Sequence, residues 1–364
     1  MILTIAKKEM KELFRDGKMK TFLVLLIGLS IFSGWIGFDH YQSVKAEHEQ
    51  AQQRDRLVWE NQGEKNPHSA AHYGIYAFKQ MHPLSFVDAG IDHYEGIAIF
   101  MEAHVRNHSE FARAQDETAL ARFGHLSLGF VLLYLLPLFV LLAGFNSFSR
   151  EKESGTLKMM IGQGVAPWNI LLGKWMGLFT PGALFLLLIL AAAGVLIAVT
   201  GDFSGFHLGS LAMMGLVYLL YLIVFVNITL LVSLLAKNEN QALVLLAAIW
   251  ILAVLIAPNI SASIANHTYP YPSSQQYEDQ LAIDRRDGFE GYEPWSIASV
   301  QLREQTLLEY GVNSVDELPF NYRGFAFQKS EEHEAVLYEY HFNKLREIQE
   351  NQEDVYRSMA VLSP

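Results

Sequence analysis

Five stretches of this chain run without Asp, Glu, Lys or Arg for long enough to cross a lipid bilayer: residues 21–38, 125–145, 175–200, 209–236 and 242–258. A hydrocarbon core of about 30 Å needs about 17–25 residues of helix. Backbone amides in lipid must find their partners within the chain, so each stretch is expected to be helical. The fold class that follows is an all-α polytopic membrane protein with five spans. Composition agrees: 51% of residues are hydrophobic and 18% charged, against about 25% charged in soluble domains.

The charges gather elsewhere. Lys7, Lys8, Lys11, Arg15, Lys18 and Lys20 precede the first span. Basic residues stay on the cytoplasmic side, so the N-terminus is expected inside. Ile2, Ile5, Ala6, Met10, Leu13 and Phe14 recur at steps of three and four within residues 1–20. An amphipathic helix in the membrane interface and a plain solvated helix both fit that spacing. Alternation then puts the 146–174 loop inside, with Arg150, Lys152, Lys158 and Lys174, and the polar segments 39–124 and 259–364 outside. Both segments are expected to be mainly helical domains. The first continues the first span outward through Asp39–Glu60 and returns through a helix over Ile97–Arg122. The second carries helices around Ser296–Tyr310 and Ser330–Met359. Leu337, His341, Leu345, Ile348, Val355 and Met359 form a stripe on the last of these, read as core packing. A sixth span is expected beyond Pro364.

Several chemistries are excluded. The chain has no cysteine, so thiolate metal sites and thiol nucleophiles are absent. There is no GxxxxGK[ST], since Gly173-Lys174 is followed by Trp175, and so no P-loop. His333-Glu334 lacks the second histidine of HExxH. A net charge of −11 argues against a nucleic-acid partner. Asn227, Thr229 and Ser233 are polar residues inside a span and are read as interhelical hydrogen-bonding groups. Nine of the thirteen histidines lie between His40 and His125. His68/His72 and His104/His108 have i,i+4 spacing, one helical face each, which makes them weak candidates for metal ligands; surface histidine is the alternative.

The most informative segment is SREKESGTLKMMIGQGVAPWNILLGKWMG. Gly155 permits a sharp turn after the charged run, Thr156–Ile161 forms a short helix, and Pro167 opens the next one. A short helix with an apolar side and flanking charges has the form of a docking element, although a plain connector has it too. Glu151-Lys152-Glu153-Ser154-Gly155-Thr156-Leu157, followed by Ile170-Leu171-Leu172-Gly173-Lys174, resembles the coupling loop of ABC-2-type transporter permeases. The order of basic N-terminal helix, first span and loop between spans two and three is similar too. Pro83–Asp92, PLSFVDAGID, resembles part of the first insertion in a bacterial subfamily annotated alongside permeases for multicopper-enzyme maturation. Trp168-Asn169 departs from the small or basic pair often found after the proline, and the sixth span is absent.

The resemblance implies the permease subunit of an ABC transporter in a bacterial cytoplasmic membrane. It would bind no cofactor itself, with ATP and Mg in a separate cytoplasmic ATPase subunit. Its partners would be that ATPase, a second permease copy, membrane lipid and extracytoplasmic proteins. The implied ATPase-coupling contacts are Arg150, Glu151, Lys152, Glu153, Gly155, Thr156, Leu157, Met160 and Ile161. A membrane scaffold that passes ATPase motion to extracytoplasmic proteins, with no solute moved, is the other reading.

Overall fold

The computed structural model describes residues 1–92, 95–107, 109–110, 126–200 and 204–363. Five helices are long and apolar enough to cross a membrane: Gly17–Glu60, Leu128–Glu153, Pro167–Val199, Gly205–Leu235 and Glu239–Thr268. The protein is a multi-pass, all-α membrane protein. Its chain divides into two compact units, one over Met1–Leu255 and one over Ile256–Ser363.

The first unit opens with α1 (Ile2–Arg15) and α2 (Gly17–Glu60). They are separated by Asp16, whose backbone is extended and whose carboxylate accepts from Lys18 N at 2.8 Å to cap α2. With 44 residues, α2 is about 66 Å long, so it carries the first span well past the apolar run, as expected. After it come a single turn, α3 (Pro67–Ala71), then β1 (Ile75–Phe78), a 3₁₀ turn at Pro83–Phe86, β2 (Ala98–Glu102) and β3 (Val105–Arg106). The strands form a small antiparallel sheet in the order β1-β2-β3. The helix expected to start at Ile97 is therefore not there. Ala98–Glu102 buries alternate residues and pairs with β1 instead, Ile75 opposite Met101 and Phe78 opposite Ala98. Residues 111–122 of that expected helix lie outside the described residues.

The second span enters through Leu128–Phe130, passes a π-helical stretch at Val131–Leu135, and continues as α4 (Leu136–Gly144). The π stretch precedes Pro137, which has no N–H to offer the Leu133 carbonyl four residues back. Tyr221 Oη donates to that oxygen instead, at 2.9 Å, and Trp250 Nε1 donates to Tyr134 O at 3.2 Å. Neighbouring helices thus satisfy what the proline frees. Two short helices follow, α5 (Ser149–Glu153) and α6 (Thr156–Gly162), then three long ones: α7 (Pro167–Val199), α8 (Gly205–Leu235) and α9 (Glu239–Trp250). A second π stretch, Ile251–Ile256, leads out of α9 toward Pro258. The bundle core includes Leu26, Phe139, Val140, Leu186, Leu222, Phe225, Val226 and Leu246.

Helix polar groups hold the bundle as read from the sequence for two of the three residues. Asn227 Oδ1 accepts from Trp175 Nε1 at 2.9 Å. Ser233 Oγ accepts from the backbone N–H of Phe148 and Ser149, at 2.9 and 3.2 Å. Thr229 differs: its hydroxyl donates to Phe225 O in its own helix. The 83–92 segment is seated against three spans. The Val87 carbonyl accepts from Gly129 N at 2.7 Å, Tyr218 Oη donates to Asp88 Oδ2 at 2.7 Å, and Gly37 lies so close to the Phe86 carbonyl that a Cβ there would sit 2.6 Å from it.

The second unit is built from α10 (Ala257–Thr268), α11 (Ser274–Asp287), α12 (Trp295–Tyr310) and α13 (Tyr322–Met359). The capping box of Ser273 and Gln276 starts α11, a helix the sequence reading did not place. Leu281, Tyr292 and Leu337 form its small core, and Phe289 stacks on Tyr340 at 4.0 Å between centroids. His341 of the expected stripe is buried with Asp284, Nε2 to Oδ2 3.0 Å.

Candidate functional site

The segment between the second and third spans is built by backbone chemistry that only glycine suits. Gly155 has φ +75° and Gly164 φ +84°, both left-handed. The first turns the chain from α5 into α6. The second closes α6 with a Schellman pair: Val165 N donates to Met160 O at 3.1 Å and Gly164 N to Ile161 O at 3.0 Å. Pro167 then starts α7 without a wasted N–H. The expected short helix is present, one residue longer than its expected span of 156–161.

The inner face of this segment is fixed by charge. Lys174 lies two turns into α7 with its side chain 1% exposed. Its Nζ reaches Glu9 Oε1 at 2.9 Å, Glu151 Oε1 at 3.0 Å and the Ser147 carbonyl at 2.7 Å. Lys8 Nζ reaches the same Glu151 oxygen at 3.0 Å. Partial burial acts to lower the pKa of Lys8, but the hydrogen bond it donates to Glu151 and the charges of Glu9, Glu151 and Glu12 outweigh it and raise it. Lys8, Glu9, Glu12, Ser147, Glu151 and Lys174 line a polar cleft of about 570 Å³ with Asp16 and Ser154 on its wall.

α1 reaches this network because α7 is notched. Gly173 and Gly177 form a GxxxG step on either side of Lys174. A Cβ on Gly173 would lie 2.6 Å from Ile5 Cβ, and one on Gly177 2.6 Å from Glu9 Cβ. The apolar stripe of α1 thus faces α7, with Ala6 buried and Ile2, Ile5, Met10 and Leu13 half-buried, while Leu3 and Phe14 point outward.

Three further ties run to the other spans. Lys152 Nζ donates to the carbonyls of Leu234 and Ala236 at 2.7 and 2.8 Å, which caps the C-terminal end of α8. Arg150 lies 3.6 Å from Glu239 at the start of α9. Gly144 lets α4 approach α7 and α8, since a Cβ there would meet Leu178 at 2.5 Å and Thr229 at 2.6 Å.

Of the residues singled out in the sequence, Glu151 is buried and Lys152, Leu157 and Met160 are half-buried against the bundle, with Gly155 and Thr156 at the turn. Arg150, Glu153 and Ile161 face outward, joined by Lys158, Met159 and Trp168, the last 64% exposed. The sequence reading takes Lys8 and Lys174 only as cytoplasmic charges and does not single out Glu9, because nothing local shows that the three meet. The GxxxG step around Lys174 was the available signal. Of the histidines, His68 and His72 lie on one helical face as expected, while His104 sits in the β2–β3 turn with φ +66° rather than on a helix. His108 lies outside the described residues.

Residues 3–306 match the family model described as ABC-2 family transporter protein. The chain belongs to the ABC-2 family of transporter proteins. A second model, a domain of unknown function designated DUF3526, matches residues 276–364. No curated protein matches the sequence. As a member of this family the chain is a membrane permease subunit, consistent with the five apolar helices.

Proposed function

We propose that this permease subunit is driven by a separate cytoplasmic ATPase, which docks on the outer face of α5–α6. The observation that carries the reading is the set of ties behind that face. Glu151, Lys152, Arg150 and the Ser147–Ser149 backbone join one short segment to α1, α7, α8 and α9. A push on α6, passed through the Gly155 turn to α5, would reach the ends of four spans at once. Met159, Ile161 and Trp168 supply an apolar anchor, and Arg150, Glu153 and Lys158 supply the charged rim. Glu151, Lys152, Leu157 and Met160 hold the segment to the bundle from behind.

ATP and Mg would be bound by the ATPase, and bond chemistry would stay there. In this reading the N-terminus and α5–α6 face the cytoplasm of a bacterial cell, since Lys7, Lys8, Lys11 and Arg15 gather with them. A second permease copy would complete the pathway, as one bundle of five spans supplies one wall. The polar segments would lie outside. The second reading, motion passed to extracytoplasmic proteins, is favoured by the second unit, Ile256–Ser363, which is large for a connector.

Substituting Glu153→Ala together with Gly155→Val tests the coupling. In the reconstituted complex, membrane insertion should persist while transport falls away from ATP hydrolysis. Full stimulated ATPase activity and transport in that variant would overturn the assignment of this segment.

A further inference from the structure

On the polar segment between the first and second spans, three imidazoles from two separate elements converge. His68 and His72 stand one turn apart on α3 and its C-terminal cap, with Nε2 atoms 3.2 Å apart. His104 comes from the two-residue turn between β2 and β3. A backbone hydrogen bond from Ala103 N to Ala71 O, 3.1 Å, ties that turn to α3. The ring of His104 then lies 5.2 Å from that of His68 and 4.9 Å from that of His72, centroid to centroid. One nitrogen of each ring lies within 4.8 Å of the others, and all three residues are exposed.

The backbone gives an independent sign. Among the described residues His104 is the one non-glycine with positive φ, at 66°. Glycine would occupy that turn position at least cost, whereas a side chain there costs on the order of 1 kcal/mol. Strain of this kind collects at ligand clamps, and here it aims a ring at two others. The spacing has a meaning too. Two nitrogens bound to one zinc at 2.0–2.1 Å in tetrahedral geometry stand about 3.3 Å apart, close to the 3.2 Å between His68 and His72.

We propose that His68, His72 and His104 form a three-imidazole site for a divalent transition metal, with zinc as the ion it takes. Neutral imidazole nitrogen suits zinc and copper(II), and a chain without cysteine offers no thiolate to select copper(I). Three protein ligands leave a fourth position for water or an incoming ligand, the arrangement of an open zinc site. Exposure of all three rings makes the ion exchangeable. Modest ring rotations close the remaining distance from His104.

The test uses the intact purified protein in lipid nanodiscs, titrated with Zn²⁺ against a chromophoric chelator. The parent should bind one Zn²⁺ per chain, and His68→Ala and His72→Ala should each weaken binding. The deciding variant is His104→Gly, which keeps the turn and relieves its strain while removing the ring. It should lose about tenfold or more in affinity, with circular dichroism unchanged. His267→Ala, in the second unit, should titrate like the parent. Failure of the parent to bind, or parent-like affinity in His104→Gly, overturns the site. Neither outcome bears on the docking role of α5–α6.

Discussion

Two regions of the first unit hold its helices together, and they do so by opposite means. Around α5 and α6 the ties are ionic and mostly buried: Lys174 with Glu9 and Glu151, Lys8 with Glu151, Lys152 on the end of α8. Around Pro83–Asp92 the ties to the spans, among the described residues, are apolar packing by Leu84, Phe86 and Val87, a backbone hydrogen bond from Gly129 to Val87 and a side-chain bond from Tyr218 to Asp88, while the Lys79–Asp92 ion pair stays within the polar segment itself. A buried charge is costly to strand, so the first region has few tolerated arrangements. Packed apolar side chains lose free energy gradually as they are trimmed. The first region is therefore suited to pass a displacement on, and the second to seat a segment firmly while tolerating change.

The comparison breaks most visibly at Lys174. Replacing Lys174→Met takes the buried cation from Glu9 and Glu151 and leaves them only the half-exposed Lys8, and should destabilise the bundle by about 3–5 kcal/mol. Denaturation of the detergent-solubilised protein reads this directly. Adding Glu9→Gln and Glu151→Gln to the same chain should restore much of the loss, because no stranded charge remains. No recovery in the triple variant would mean that the network acts through packing alone.

A smaller effect is expected where α1 meets α7. Gly177→Leu places a side chain where Glu9 Cβ already lies, and overpacking of this kind costs about 1–3 kcal/mol. Limited proteolysis should then release α1 while the spans stay folded. Smallest is Tyr218→Phe in the second region, which removes one hydrogen bond to Asp88 and should cost about 1–2 kcal/mol. If Tyr218→Phe proved as damaging as Lys174→Met, the contrast between the two regions would be wrong.

The spans were legible because a bilayer allows few exceptions: about 17 or more uncharged, largely apolar residues in a row have almost no other use. The short helix α6 was legible for a local reason, since Gly155, Gly164 and Pro167 each permit one kind of backbone. What stayed hidden depended on partners distant in sequence. Lys174 reads as a flanking charge until α1, 165 residues earlier, is seen against it. The strand Ala98–Glu102 has a composition that also suits a helix, and its pairing with Ile75–Phe78 decides the matter. His104 carries no local mark of a left-handed turn, so its separation from a helical face could not be read from i,i+4 spacing.

On the proposed function, the outer face of α6 meets the ATPase. A chain with no cysteine offers a clean background for placing one. Cysteines placed singly at Met159, Ile161 and Leu157 can each be tested for cross-linking to the ATPase subunit in native membranes. Strong products that change with bound nucleotide are expected from Met159→Cys and Ile161→Cys, and little from the half-buried Leu157→Cys. Equal cross-linking at all three positions, or none at Met159 and Ile161, would contradict it.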